Sequence, residues 1–144
     1  MAPDPRPSRP KGFGVFTRIV YVHQAVSIVF FLAGLRLSAA RGMDALVLPH
    51  LMGIALSVAV LVAMFGVATR KSLRALSWLR VILWIAIVKV FVVQWWLFAT
   101  GQTELLSTIR VMLSNELIAI PLAVYWSRSA HAIYLASLKC SSHS

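Results

Sequence analysis

The chain has 144 residues, 60% hydrophobic and only 12% charged, with a mean hydropathy of +0.83 and a formal net charge of +10. A soluble domain carries about a quarter charged residues, and one small core cannot bury this much apolar surface, so an ordinary water-soluble fold is excluded and a bilayer is the expected solvent. In such a chain an excess of Lys and Arg reads as topology and contact with the anionic cytoplasmic leaflet, not as nucleic-acid recognition.

Residues 1–11 hold four of the six prolines and three cations. They read as a basic, solvated tail, with a docking role as the sharper alternative. Gly12-Phe13-Gly14-Val15-Phe16 follows as an interfacial lead-in, since aromatic residues approaching a span sit at headgroup level. Four apolar stretches come next, at about 18–37, 46–68, 78–99 and 105–126. Each is long enough at about 1.5 Å per residue to cross a hydrocarbon layer of about 30 Å, where helices satisfy their own backbone groups. The links are short: 38–45 with Gly42 and Asp44, 69–77 with three cations, and 100–104 with Gly101. Short links predict an up-down antiparallel bundle. A cleaved signal peptide ending at Ser38-Ala39-Ala40 is the rival reading of the first stretch, opposed by its length and by Arg36 beside the cleavage point.

Of the fourteen cations, ten fall on one side: Arg6, Arg9, Lys11 and Arg18 before the first span, Arg70, Lys71, Arg74 and Arg80 around the middle link, and Arg128 and Lys139 after the fourth. Arg36, Arg41 and Arg110 fall on the other side, and Lys89 lies within a span. The positive-inside bias predicts both termini and the middle loop in the cytoplasm.

An ionisable group inside a span is costly and marks a candidate site. Lys89 lies about 13 Å of rise from Arg80, and Glu116 about 18 Å from Arg128 on the neighbouring helix. The two are expected to form an intramembrane ion pair, with Gln94, Ser114 and Asn115 near in depth. Such a pair fixes helix register, serves a proton or ion path, or faces a partner subunit. Pro121, one turn beyond Glu116, removes the donor for the Leu117 carbonyl and predicts a kink. Ala55, Ala59 and Ala63 form a four-residue stripe expected to serve close helix packing. Trp78, Trp84, Trp95, Trp96 and Trp126 lie mostly toward span ends, as an aromatic belt does.

Histidine raises a haem reading, because helix bundles hold haem between facing imidazoles. His23 and His50 fall near opposite ends of their spans, His131 lies beyond Arg128 and His143 in the C-terminal segment, so neither cofactor nor metal is expected. Cys140 has no cysteine partner. No Walker loop, GxGxxG, HExxH or Gly-x-Ser-x-Gly motif occurs, and the short links leave no room for a soluble catalytic domain, so an enzyme is not expected.

The Gly12–Phe16 lead-in, the Arg70-Lys71 loop, and Ile120-Pro121 followed by Tyr125-Trp126-Ser127-Arg128-Ser129-Ala130-His131 resemble features of a family of small bacterial inner-membrane proteins catalogued as a domain of unknown function. That resemblance covers most of the chain and implies a four-helix inner-membrane protein.

The sequence thus predicts an all-α integral membrane protein: a tail and lead-in over 1–16, a four-helix transmembrane domain over 17–128 and a cytoplasmic segment over 129–144. The expected role is that of a non-enzymatic accessory or assembly subunit of a larger membrane complex, partnered by lipid and by other subunits or copies of itself. A small proton-coupled transporter or ion carrier using Lys89 and Glu116 is the alternative.

Overall fold

The computed structural model describes residues 9–140. Residues 1–8 of the tail and 141–144 with His143 lie outside the described residues, as do the side chains of Lys139 and Cys140. The described chain is all helical: α1 (Phe13–Ala40), α2 (Asp44–Ala68), α3 (Leu73–Ala99), α4 (Leu105–Ser127) and α5 (Ser129–Cys140). The first four are long and apolar enough to cross a membrane.

Three boundaries differ from the sequence reading, each for a local reason. Helix α1 starts at Phe13, inside the expected interfacial lead-in. Gly12 takes φ 79, which only glycine adopts without strain, and Phe13 N–H donates to the Pro10 carbonyl at 3.1 Å. Helix α3 starts at Leu73 because the Ser72 hydroxyl accepts from Ala75 N–H at 3.3 Å. The segment after Arg128 forms a fifth helix, which hydropathy did not reveal. Arg128 is extended at ψ 138 and ends α4, and Arg80 clamps the exposed carbonyls there, donating to Trp126 O and Arg128 O at 2.9 Å each.

The helices pack in chain order, α1 on α2, α2 on α3 and α3 on α4, with α5 against α3. The buried core lies toward the end bearing the termini: Val20 of α1, Val60, Met64 and Val67 of α2, Leu76, Leu79 and Leu83 of α3, Leu122 and Trp126 of α4, and Leu135 of α5. Large side chains such as Val29, Phe30, Leu106 and Leu117 stay exposed on the outside. An apolar exterior around a partly polar interior is the pattern a bilayer solvates.

Glycines set the closest helix approaches. A Cβ at Gly53 would stand 2.7 Å from the Phe31 ring, one at Gly66 would stand 2.7 Å from the Ala75 Cβ, and one at Gly34 would strike the His50 ring. The predicted alanine stripe lies on the packing face in part. Ala63 is buried, Ala59 is half-buried and Ala55 is exposed. A four-residue repeat drifts by about 40° per step on a helix of 3.6 residues per turn, so the stripe rotates out of the interface.

In the α2–α3 loop Lys71 holds φ 48, a left-handed conformation that costs a side-chain-bearing residue about 1–2 kcal/mol. Lys71→Gly removes that strain and is expected to stabilise by roughly 0.5 kcal/mol after glycine's own entropy cost. The thermal midpoint in mild detergent measures it, and a fall instead of a rise would mean that the Lys71 side chain contributes more than the strain costs.

Candidate functional site

Helices α1 and α4 lack the close backbone approach of the three sequential pairs. They meet at the terminal end through aromatic rings, and beyond those rings lies an open cleft of about 780 Å³. Between Gln24 and Ser38, about 20 Å of rise, helix α1 fully buries no residue: Phe31 and Gly34 pack on Gly53 and His50 of α2, while Val26 and Phe30 stay exposed toward the cleft. The cleft walls are Val22, Val26 and Phe30 of α1 and Val111 and Ile118 of α4, while α3 supplies Lys89, Val93 and Gln94 and α2 supplies Pro49 and His50. Polar groups break this apolar lining at intervals: His23 and Ser27 on α1, Lys89 and Gln94 on α3, Ser114 and Asn115 on α4. Among the described residues, Arg18 and Lys89 are the ionisable groups in it besides two histidines, and no carboxylate lines it.

Several of these groups are tied to their own helices. Ser27 donates to the His23 carbonyl at 2.8 Å, Ser114 to the Val111 carbonyl at 3.1 Å and the Asn115 amide to the same carbonyl at 2.8 Å. The second hydrogen and the oxygen of the Asn115 amide stay available to an occupant. The Lys89 ammonium lies 4.7 Å from the centre of the Phe31 ring, a cation–π contact.

A smaller cavity of about 70 Å³ lies inside the bundle, lined by Gln24 and Ser57 together with Glu116, and bordered by Lys89 and Asn115. Glu116 is 6% exposed, and neither carboxylate oxygen has a hydrogen-bond partner. The expected Lys89–Glu116 ion pair is therefore not closed, although both residues face this cavity. The ammonium lies instead over the Phe31 ring, which lines both the open cleft and the inner cavity. Gln94 and Ser114 line the outer cleft, and Asn115 borders both spaces. Pro121 sits exposed in a helix that runs unbroken from Leu105 to Ser127.

Sequence reading missed Gln24 and Ser57, both buried. The signal for them emerges once the helix ends are known. Gln24 follows Phe13, Ser57 precedes Ala68 and Glu116 precedes Ser127 by the same count of residues, about 16 Å of rise in each case. Polar side chains at one depth on three helices mark an internal polar layer.

Among the described residues, His23 and His50 stand far apart along the helices. His50 lies against Gly34, about 16 Å of helix rise beyond His23. His23 Nδ1 accepts from the Gln24 amide at 3.1 Å, and His50 donates to the Leu46 carbonyl.

At the terminal end the rings form a clasp. Phe16 stacks on Tyr125 at 3.9 Å between centroids, Phe13 meets Trp126 edge-on at 5.3 Å, and the Tyr125 hydroxyl donates to the Lys11 carbonyl at 2.9 Å. His131 of α5 is buried in this cluster, 4.5 Å from the Tyr125 ring and 4.9 Å from the Trp126 ring. Its burial holds the imidazole below its ordinary pKa of 6.5, against the pull of the Arg128 carbonyl that Nδ1 meets at 3.3 Å, with the positive charges of Arg80 and Arg128 adding to the lowering. The Phe13 ring lies 6.1 Å from the imidazole and in turn meets Tyr134 edge-on at 5.9 Å. The folded state therefore refuses a proton that the unfolded chain accepts, so stability is full above about pH 6.5 and falls as pH drops below it. The thermal midpoint is expected to decline between about pH 7 and pH 5 in the native chain and to stay flatter in His131→Phe. Equal slopes would mean that His131 does not govern the acid response.

No protein-family model, curated protein or solved structure matches this chain.

Proposed function

We propose that the chain is a non-enzymatic, multi-pass protein of a bacterial inner membrane, with both termini in the cytoplasm, and that it acts as an accessory or assembly subunit by seating a transmembrane segment of another protein in the seam between α1 and α4. The observation that carries this reading is the open cleft, walled on the α1 side by Val22, Val26 and Phe30, which stay exposed although α1 packs on α2. Ser, Asn, Gln and His side chains join helices in lipid, and those residue types punctuate the cleft. Acyl chains return no hydrogen bonds to Gln94 or Asn115, whereas a neighbouring helix does. The orientation rests on the order of the cations along the sequence, ten of which precede the first span, surround the middle link or follow the fourth span, and the location agrees with the motif resemblance.

A photoreactive amino acid in place of Val26, inside the cleft, tests the docking in native membranes. A control replaces Val29, which is 68% exposed on the same helix and outside the cleft lining. Position 26 is expected to give a discrete protein adduct and position 29 a diffuse lipid background. Lipid adducts alone at both positions would overturn the reading.

A second reading, a proton-coupled carrier, is favoured by one observation: the carboxylate of Glu116, unpartnered beside a cavity large enough to admit water. In that case Glu116→Gln abolishes pH-dependent flux in proteoliposomes while the helix content stays native. Unchanged flux, or none in the native protein, removes the carrier reading.

A further inference from the structure

We infer that the transmembrane segment seated in the seam belongs to a different protein and carries an aspartate or glutamate at mid-membrane depth, where it pairs with Lys89. This rests on the seam-docking reading above and adds the partner's chemistry to it.

The argument starts from charge. Among the described residues the cleft holds two cations, Arg18 and Lys89, and no acid. Lys89 sits about 13 Å of rise from Arg80 and about 15 Å from Ala99, near the middle of a hydrocarbon layer of about 30 Å. A lipid phosphate lies farther from that depth than a lysine side chain spans. Among the described residues the recorded partner of Lys89 is the Phe31 ring, which offers attraction to a cation but no hydrogen-bond acceptor oxygen. A charge at that depth calls for an anion carried there by a protein side chain.

The chain itself does not supply one. Its four acids are Asp4, Asp44, Glu104 and Glu116. Asp4 precedes α1, Asp44 opens α2 and Glu104 stands at the start of α4, all outside the middle of a span. Glu116 alone lies deep in a helix, and it is buried on the inner side of the bundle. A second copy therefore brings no accessible acid to Lys89, and the occupant is a different chain.

Shape agrees with a helix seated on one side. A transmembrane helix of about 30 Å length and about 10 Å width exceeds 780 Å³, so the cleft receives one face of it and leaves the rest to lipid. Lys89 also borders the inner cavity that holds Glu116. It is the charged residue common to both spaces, so an acid arriving in the cleft holds the ammonium outward and leaves Glu116 to the interior polar layer.

The test uses the purified full-length protein in liposomes with a photoreactive residue in place of Val26. The probes are synthetic Leu/Ala helices of roughly 20 residues that differ at one central position: Glu, Gln or Lys. Crosslink yield is read by gel. With native Lys89 the Glu helix is expected to exceed the Gln helix by roughly threefold to thirtyfold, the range for one polar interhelical contact in lipid. Lys89→Gln is expected to equalise them, and Lys89→Glu to transfer the preference to the Lys helix, a rescue that a misfolded variant does not give. Equal yields for the Glu and Gln helices on the native protein overturn the acidic partner while leaving seam docking intact. A Glu preference that survives in Lys89→Gln overturns the assignment to Lys89. Absence of any peptide adduct at position 26, with lipid adducts present, overturns seam docking itself.

Discussion

Glu116→Leu is expected to stabilise the protein by about 1–3 kcal/mol, the cost of a buried polar group left without a hydrogen bond. Both carboxylate oxygens of Glu116 are enclosed and unpartnered. The neighbouring walls include Leu83, Ala119 and Leu122, so an apolar side chain of similar volume fits where the carboxyl stands. Glu116→Gln keeps polar atoms in the same place and is expected to gain much less. Thermal midpoints in one detergent rank the three proteins. A stabilised Glu116→Leu means that the native carboxylate is retained at a cost for function, as binding and carrier sites commonly are. A destabilised Glu116→Leu means instead that the carboxylate meets Lys89 in the membrane, because removing one partner of a buried pair leaves the other charge uncompensated.

The four long apolar helices were legible because one variable decides them: sustained apolar length, judged against bilayer thickness. Their ends were less so, since a hydropathy window cannot register that Gly12 turns the chain or that Ser72 caps α3. Helix α5 escaped for the same reason: it is short and mixed in composition, and what holds it is tertiary, through His131 and Leu135 in the core. Depth along each helix was also readable, which is why Lys89 and Glu116 do face one cavity. Rotation about each axis was not. When every face of a helix is apolar, no periodic pattern distinguishes lipid from neighbour, so the sequence reading took Ala55 for a packing position and gave Gln94 and Ser114 a depth near Glu116 but no facing. The cleft was beyond the sequence altogether. It arises because α1 packs on α2 along its length yet meets α4 at one end, a matter of how helices cross and not of composition.

That end is the reason the cleft keeps its shape, and it sets the second large effect. Trp126→Ala is expected to cost about 3–5 kcal/mol, the range for truncating a large buried aromatic side chain. Trp126 is fully buried, and its ring touches Phe13 of α1, Tyr125 of its own helix and His131 of α5. One substitution thus loosens three elements. Helix α1 has few other seats: Val20 and Gln24 are its remaining buried residues before Ser38. Once the clasp opens, the packing of α1 on α2 survives, held by the close approaches at Gly34 and Gly53, and the seam widens from the terminal end. Spin labels on exposed positions Val15 of α1 and Val124 of α4 are expected to move apart in Trp126→Ala, while labels on Leu32 of α1 and Met52 of α2 keep their distance. Unchanged separation across the seam would mean that the α1–α2 pair alone positions the cleft wall. Trp126→Phe retains most of the ring contact and removes an indole N–H that has no hydrogen-bond partner, so it is expected to hold the seam closed at its native width. The pair of variants separates the volume that the clasp needs from the polar atom that it does not.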